Sequence, residues 1–264
     1  MGGRWAAGLV AVALGVAGCG GDDGAAAPGG ATSSAPDDGP SGTLTVFAAA
    51  SLTDVFTDLG GRLEGQHPGL DVQFNFAGSS ALATQVVQGA PADVFASAAE
   101  PQMATVTDAG LAAGEPAVVA ANVLQIAVPA GNPAGVTGLA DFAREELALA
   151  VCAPEVPCGA ASEEVFAAAG VAAVPDTQEE DVRAALTKVE LGEVDAALVY
   201  TTDVASAGDA VEGLDFPESA EAVNAYPIAT LTGAPNPDAA AAFVELVLSE
   251  EGRAALSGAG FRVP

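Results

Sequence analysis

The chain has 264 residues, 50% of them hydrophobic and 16% charged, with 35 acidic side chains against 7 basic ones and a formal net charge of -28. That length and apolar content suffice to bury one large core or two smaller ones. A field so negative repels nucleic acid and anionic membrane surfaces and so argues against either as a partner.

Residues 1 to 18 carry one early positive charge, Arg4, an apolar run from Trp5, and small residues leading into Cys19, which is the layout of a secretory signal. The run is shorter than the ~20 residues of a permanent membrane-spanning helix. Val16-Ala17-Gly18-Cys19 resembles the lipobox of bacterial lipoproteins. The resemblance implies cleavage before Cys19 and lipid attachment to it; a plain signal peptide with an incidental cysteine is the alternative. Residues 19 to 42, rich in Gly, Ala, Ser, Pro and Asp, predict a flexible tether.

With Cys19 lipidated, Cys152 and Cys158 in VCAPEVPCG remain as one pair, and in an oxidising compartment a disulfide is the default. So short a loop gains less than ~3 kcal/mol from closure, so its main effect is local shaping. A metal site or a redox pair are the alternatives. Neither has support, because the only histidine is His67, in the turn-like stretch QHPGL.

From Thr43 the pattern alternates. TLTVFA is followed by a helix from Ser51, LDVQFNF by a helix from Ser79, and ADVFAS by a helix through Met103. A long apolar strand, 122–130, leads to a second series: LALAVC, helices at about 159–169 and 182–191, and DAALVY. AYPIATL then reads as a strand and PDAAAAFVELVLS as an amphipathic helix. Such alternation predicts an α/β fold with parallel sheets covered by helices on both faces. Two successive units predict two lobes, residues 43–122 with 227–264 and residues 123–226, around a cleft that acts as a hinge.

Ligands of open α/β sheets sit outside the carboxyl ends of the strands, where helix N-termini present free N–H groups. Ser51 follows a strand, opens a helix and has Asp54 three residues on, a capping-box spacing. Its hydroxyl can cap that helix or face a ligand. Alanines 48 to 50 leave the backbone open to close approach by an anion, and Ser79, in FAGSSAL, repeats the arrangement.

FAAASLT, FAGSSALATQV, GAPADVFASA, PEVPCG, EEDVRAALTKVE and ALVYTTD, in this order, resemble the periplasmic molybdate-binding proteins of ABC importers, over almost all of residues 43–264. The resemblance implies a two-lobed periplasmic-binding-protein fold of type II, hinged by two crossing strands. It also implies a tetrahedral oxyanion, molybdate or tungstate, held in the cleft by neutral donors. The implied ligand set is the hydroxyl and backbone of Ser51 and Ser79, the backbone N–H of Cys158 and of Val182, and the Tyr200 hydroxyl. Cys158 is a departure, since alanine is common there in the family; bridged to Cys152, it stiffens the loop and shifts the pocket rim. The implied partners are an ABC permease and ATPase, with membrane attachment only through the lipid at Cys19. The chain is read as a monomer at the outer face of the cytoplasmic membrane, with no cofactor, no nucleic acid and no metal bound as a cation.

Only Arg183 among the basic residues lies in an implied binding segment, and a surface ion pair is its expected role. Donor groups alone favour a fully deprotonated oxyanion over a protonated phosphate, which brings a hydrogen with no acceptor. Sulfate must be excluded by size. A receptor for sulfate, phosphate or another small solute is the alternative. A hydrolase would need Ser51 or Ser79 paired with His67, and no G-x-S-x-G elbow surrounds either serine. A ferric-ion binder would need several tyrosine or carboxylate oxygens; the chain has two tyrosines, and only Tyr200 falls in the expected cleft.

Overall fold

The computed structural model describes residues 39–264. The signal segment, Cys19 and most of the tether at 19–42 lie outside them. β1 (Gly42–Ala49) pairs in parallel with β2 (Leu70–Ala77) along its whole length, from Gly42 opposite Leu70 to Ala49 opposite Ala77. On its other side β1 pairs in parallel with β3 (Val94–Ala96). The helices between them are α1 (Thr53–Gln66), α2 (Ser79–Val87) and α3 (Glu100–Asp108).

β4 (Ala117–Pro129) starts earlier than the apolar run alone suggests and is buried along most of its length. Its first part, to Val123, pairs antiparallel with β9 (Val223–Thr230), which in turn pairs antiparallel with β3. Its second part, from Leu124, pairs antiparallel with β7 (Ala196–Tyr200) and β8 (Val211–Leu214). β5 (Leu149–Cys152) lies parallel between β7 and β6 (Thr177–Glu179). One mixed sheet, ordered β2-β1-β3-β9-β4-β7-β5-β6, therefore runs through both lobes. Parallel wings meet at two central antiparallel strands, so the lobes share a sheet where the sequence suggested two separate ones.

In the second lobe, α4 (Pro157–Ala169), α5 (Val182–Glu190) and α6 (Thr201–Ala207) cover the sheet. The chain then returns through β9 to α7 (Pro237–Leu248) and α8 (Glu250–Gly258), which pack beside α1 in the first lobe. Asn236 and Ser249 cap these two helices by accepting from Ala239 N–H and Gly252 N–H. The first lobe has a core on each sheet face, one around Leu44, Phe56, Tyr226 and Phe243, the other around Phe47, Leu82, Phe95 and Met103. The second lobe has its own, around Ile126, Phe142, Leu149 and Leu198. Burial of these apolar side chains, at roughly 25 cal/mol per Å², stabilises each core.

Candidate functional site

β1 ends at Ala49, and the chain turns through a short 3-10 segment, Ala50–Leu52, before α1 begins at Thr53. Ser51 is therefore not the cap of a helix, and the capping box with Asp54 is not formed. The alanines ahead of it let the strand continue undisturbed, and the tight turn aims the serine hydroxyl at Tyr226, whose oxygen is 2.9 Å away. Ser79 is the first residue of α2, behind Gly78, and likewise caps nothing. Its hydroxyl oxygen accepts from Ala98 N–H at 3.0 Å.

Cys158 is the second residue of α4, behind Pro157, and no side chain caps that helix. Pro157 has no N–H, and those of Gly159 and Ala160 donate to the Val156 carbonyl at 3.0 Å, which leaves the Cys158 N–H for another acceptor. Cys152 and Cys158 are bridged, with Cα atoms 5.6 Å apart, which ties this helix start to the end of β5. Val182 opens α5, and Asp181 before it caps the helix by accepting from Ala184 N–H at 2.9 Å. That bond engages the third residue and leaves the Val182 N–H out of it. Tyr200 closes β7 directly ahead of α6, and its backbone N–H donates to Asp203 at 3.1 Å.

These five residues line one cavity of about 10 Å³, together with Ala49, Ala50, Gly78, Ala98, Pro157 and Asp181 among others. None of the five is more than 3% exposed. Ser51 and Ser79 come from the first lobe, Cys158, Val182 and Tyr200 from the second. The Tyr200 hydroxyl is buried and has no hydrogen-bond partner among the described residues. Burial raises the hydroxyls of Tyr200 and Tyr226 well above the ordinary tyrosine range, so both keep their protons and can donate. Among the described residues no lysine, arginine or histidine lines the cavity.

The lobes touch at its rim. A Cβ on Gly78 would lie 2.3 Å from the Glu180 carbonyl oxygen, so only glycine permits this approach. Ser80 Oγ donates to the Glu155 carbonyl of the other lobe, and Gln102 Nε2 approaches the same oxygen at 3.4 Å. Arg183 is more than the expected surface pair. Its side chain is 26% exposed and reaches both Asp54 of the first lobe and Asp203 behind β7. Arg183 Nε lies 3.0 Å from Asp203 Oδ1, at an angle too poor for a hydrogen bond. Burial pushes the Asp203 carboxyl up to about 7, against the pull of Arg183.

Sequence reasoning missed three residues here. Tyr226, read as outside the cleft, touches Ser51 from β9. Asp181 lines the cavity, and Gly78 sets how closely the lobes approach. The run FAGSS carried a signal for Gly78, whereas nothing local marks Tyr226.

The family model described as bacterial extracellular solute-binding protein matches residues 44–262. The molybdate-binding protein ModA of Mycobacterium tuberculosis (strain ATCC 25618 / H37Rv) is 42% identical over 99% of this chain and 100% of its own length. ModA of Haemophilus influenzae is 33% identical over 84% of this chain and 90% of its own length. Among solved structures, the periplasmic molybdate-binding protein of Azotobacter vinelandii superposes with a TM-score of 0.72 at 21% identity, over 84% of this chain and 99% of the other; that likeness concerns the fold. With the family model spanning both lobes and a relative aligned over nearly the whole chain, this protein belongs to the bacterial extracellular solute-binding proteins, and within them to the ModA family.

Proposed function

We propose that the chain captures molybdate, and tungstate with it, outside the cytoplasmic membrane and delivers it to the permease and ATPase of an ABC importer. It is a binding protein and not an enzyme. The observation that carries the reading is the convergence of donors from both lobes on one small cavity without a cationic side chain. At about 10 Å³ the cavity is far smaller than the ~300–1,000 Å³ typical of sites for organic ligands, which favours a compact inorganic ion. Hydrogen bonds to a charged group contribute about 1.5–3 kcal/mol each, so five of them support micromolar affinity or better after the costs of association.

In this reading Ser51 and Ser79 donate from the first lobe, and the Cys158 and Val182 N–H groups and the Tyr200 hydroxyl from the second. Residues 43–122 with 227–264 and residues 123–226 act as two lobes hinged at β4 and β9. Ligand shifts the population toward the closed form by bridging them. Export by the signal segment and a lipid on Cys19 keep the protein, as a monomer, at the outer face of the membrane.

Calorimetric titration with molybdate, tungstate, sulfate and phosphate at one salt concentration tests the reading. The expected result is one-to-one molybdate binding, sulfate about a thousandfold weaker, and a loss of tenfold or more in Ser51→Ala and in Ser79→Ala. Sulfate as tight as molybdate makes this a general oxyanion receptor. Unchanged affinity in both variants removes the site assignment.

A further inference from the structure

We propose that Tyr226 is a positioning residue of the oxyanion site, its hydroxyl donating to Ser51 Oγ so that the Ser51 proton faces the ligand. This rests on the anion-binding reading above and adds to it a residue that does not touch the ion.

The argument is a proton count. A fully deprotonated oxyanion only accepts, and a serine hydroxyl has one proton to donate and lone pairs that accept. When the proton goes to the anion, the lone pairs need a donor from behind. Ser79 has one that cannot reverse: the Ala98 N–H, 3.0 Å from its Oγ. Ala98 is itself fixed, because Asn224 Nδ2 donates to its carbonyl at 2.9 Å. Ser51 is arranged the same way, but its rear partner is a hydroxyl at 2.9 Å that can either donate or accept.

An acceptor-only ligand favours one direction. With the Ser51 proton on the anion, the direction from Tyr226 to Ser51 supplies the donor that Ser51 Oγ then needs, in competition with the Tyr200 hydroxyl and the Asn122 side chain, which lie beside the same Tyr226 hydroxyl. Tyr226 is suited to the task, being fully buried on a strand shared by the two lobes, with its ring edge-on to Tyr200 and to Phe261 at centroid distances of 6.1 and 5.2 Å. The Asn122 side chain lies beside the same hydroxyl. Its own carbonyl oxygen and amide nitrogen are engaged by Thr201 and Thr202, each at 2.8 Å. A ligand that brings its own proton meets two serine oxygens already supplied, which sharpens the discrimination against protonated phosphate.

The test is a double-mutant cycle read by calorimetry with sodium molybdate on the full chain: wild type, Ser51→Ala, Tyr226→Phe and both together. Tyr226→Phe is expected to weaken binding about tenfold in the wild type and less than about twofold in the Ser51→Ala background. Equal losses in both backgrounds mean a merely structural role and overturn the inference, as does full affinity in Tyr226→Phe. A wild type that takes up no molybdate overturns the functional reading itself.

Should Tyr226→Phe fail to fold, 3-fluorotyrosine gives a second readout, because the chain has two tyrosines and hence two fluorine resonances, assigned with Tyr200→Phe. Saturating molybdate is expected to shift the Tyr226 resonance in the wild type and leave it in place in Ser51→Ala. A resonance that stays put in the wild type refutes the coupling.

Discussion

Gly78→Ala tests whether the approach of the lobes governs affinity. The added Cβ would sit 2.3 Å from the Glu180 carbonyl oxygen and 3.3 Å from Val156 Cγ1. Glu180 O is main chain and cannot swing away as a side chain would. Ordinary contact at about 3.4 Å therefore asks the lobes to part by roughly 1.1 Å. Ser79 follows Gly78 directly, and Val182 lies just beyond Glu180, so the gap opens at the site itself. Hydrogen bonds near 2.9 Å, stretched to about 4 Å, cease to be bonds. Losing two donors to a charged acceptor removes about 3 kcal/mol or more, at least a hundredfold in affinity. The clash exists only between lobes, so melting of the ligand-free protein stays near wild type. Calorimetry and thermal melting of the variant read both quantities. Wild-type affinity at unchanged stability would refute the reasoning, by showing that the chain near Glu180 yields locally.

Other consequences follow from the same contacts. Asp203 keeps its proton in the folded protein up to about pH 7, whereas in an unfolded chain it loses it near pH 4. The folded state thus binds the extra proton between those values, and this group's contribution to stability falls as pH rises through that window. Asp203→Asn is expected to flatten the melting temperature of the ligand-free protein between about pH 4 and 7; an unchanged slope refutes the assignment. Replacing Cys152 and Cys158 together by serine opens a loop with a sequence separation of 6 and is expected to cost about 2 kcal/mol in denaturant unfolding. A loss near zero would place the effect of the bridge elsewhere. Molybdate association, followed by stopped flow, speeds up with added salt, because a net charge of -28 repels a dianion and the Debye length shrinks from ~10 Å at 0.1 M to ~3 Å at 1 M. Slower association in salt would point to a local positive funnel.

What sequence could show here was local. Strand-to-helix alternation and serines behind small residues mark the ends of β1 and β2, because turn chemistry is encoded within a few residues. Local sequence left Ser51 open between helix cap and ligand donor for the same reason. Asp54, three residues on, looks like a capping partner, but its carboxylate reaches Arg183 from 129 positions away. Tyr226 finds Ser51 across 175 positions. β6 and β8, of 3 and 4 residues, are too short to show a period. α8 carries a helix-start signal of its own, Ser249 followed by Glu250 and Glu251, directly behind the apolar run of α7. The single sheet was not legible, because crossing strands are defined only by their partners.

The remaining puzzle is how so acidic a protein holds a dianion. Arg183, next in sequence to Val182, is the one basic side chain placed to help, and it is committed to Asp203 on one side and Asp54 of the other lobe on the other. It joins the lobes and brings no net charge to the cavity. Asp181 even adds a carboxylate to the lining, though that group is turned toward the third N–H of α5. In the proposed site attraction comes from oriented dipoles, the N–H groups at the starts of α4 and α5 and the hydroxyls of Ser51, Ser79 and Tyr200, which act over a few ångströms and lose strength as soon as the geometry changes. A lysine would attract any dianion at a distance. Fixed donors favour only the anion that can accept from all of them at once, so the lack of a cationic side chain in the cavity among the described residues and the proposed preference for a bare tetrahedral oxyanion are one property.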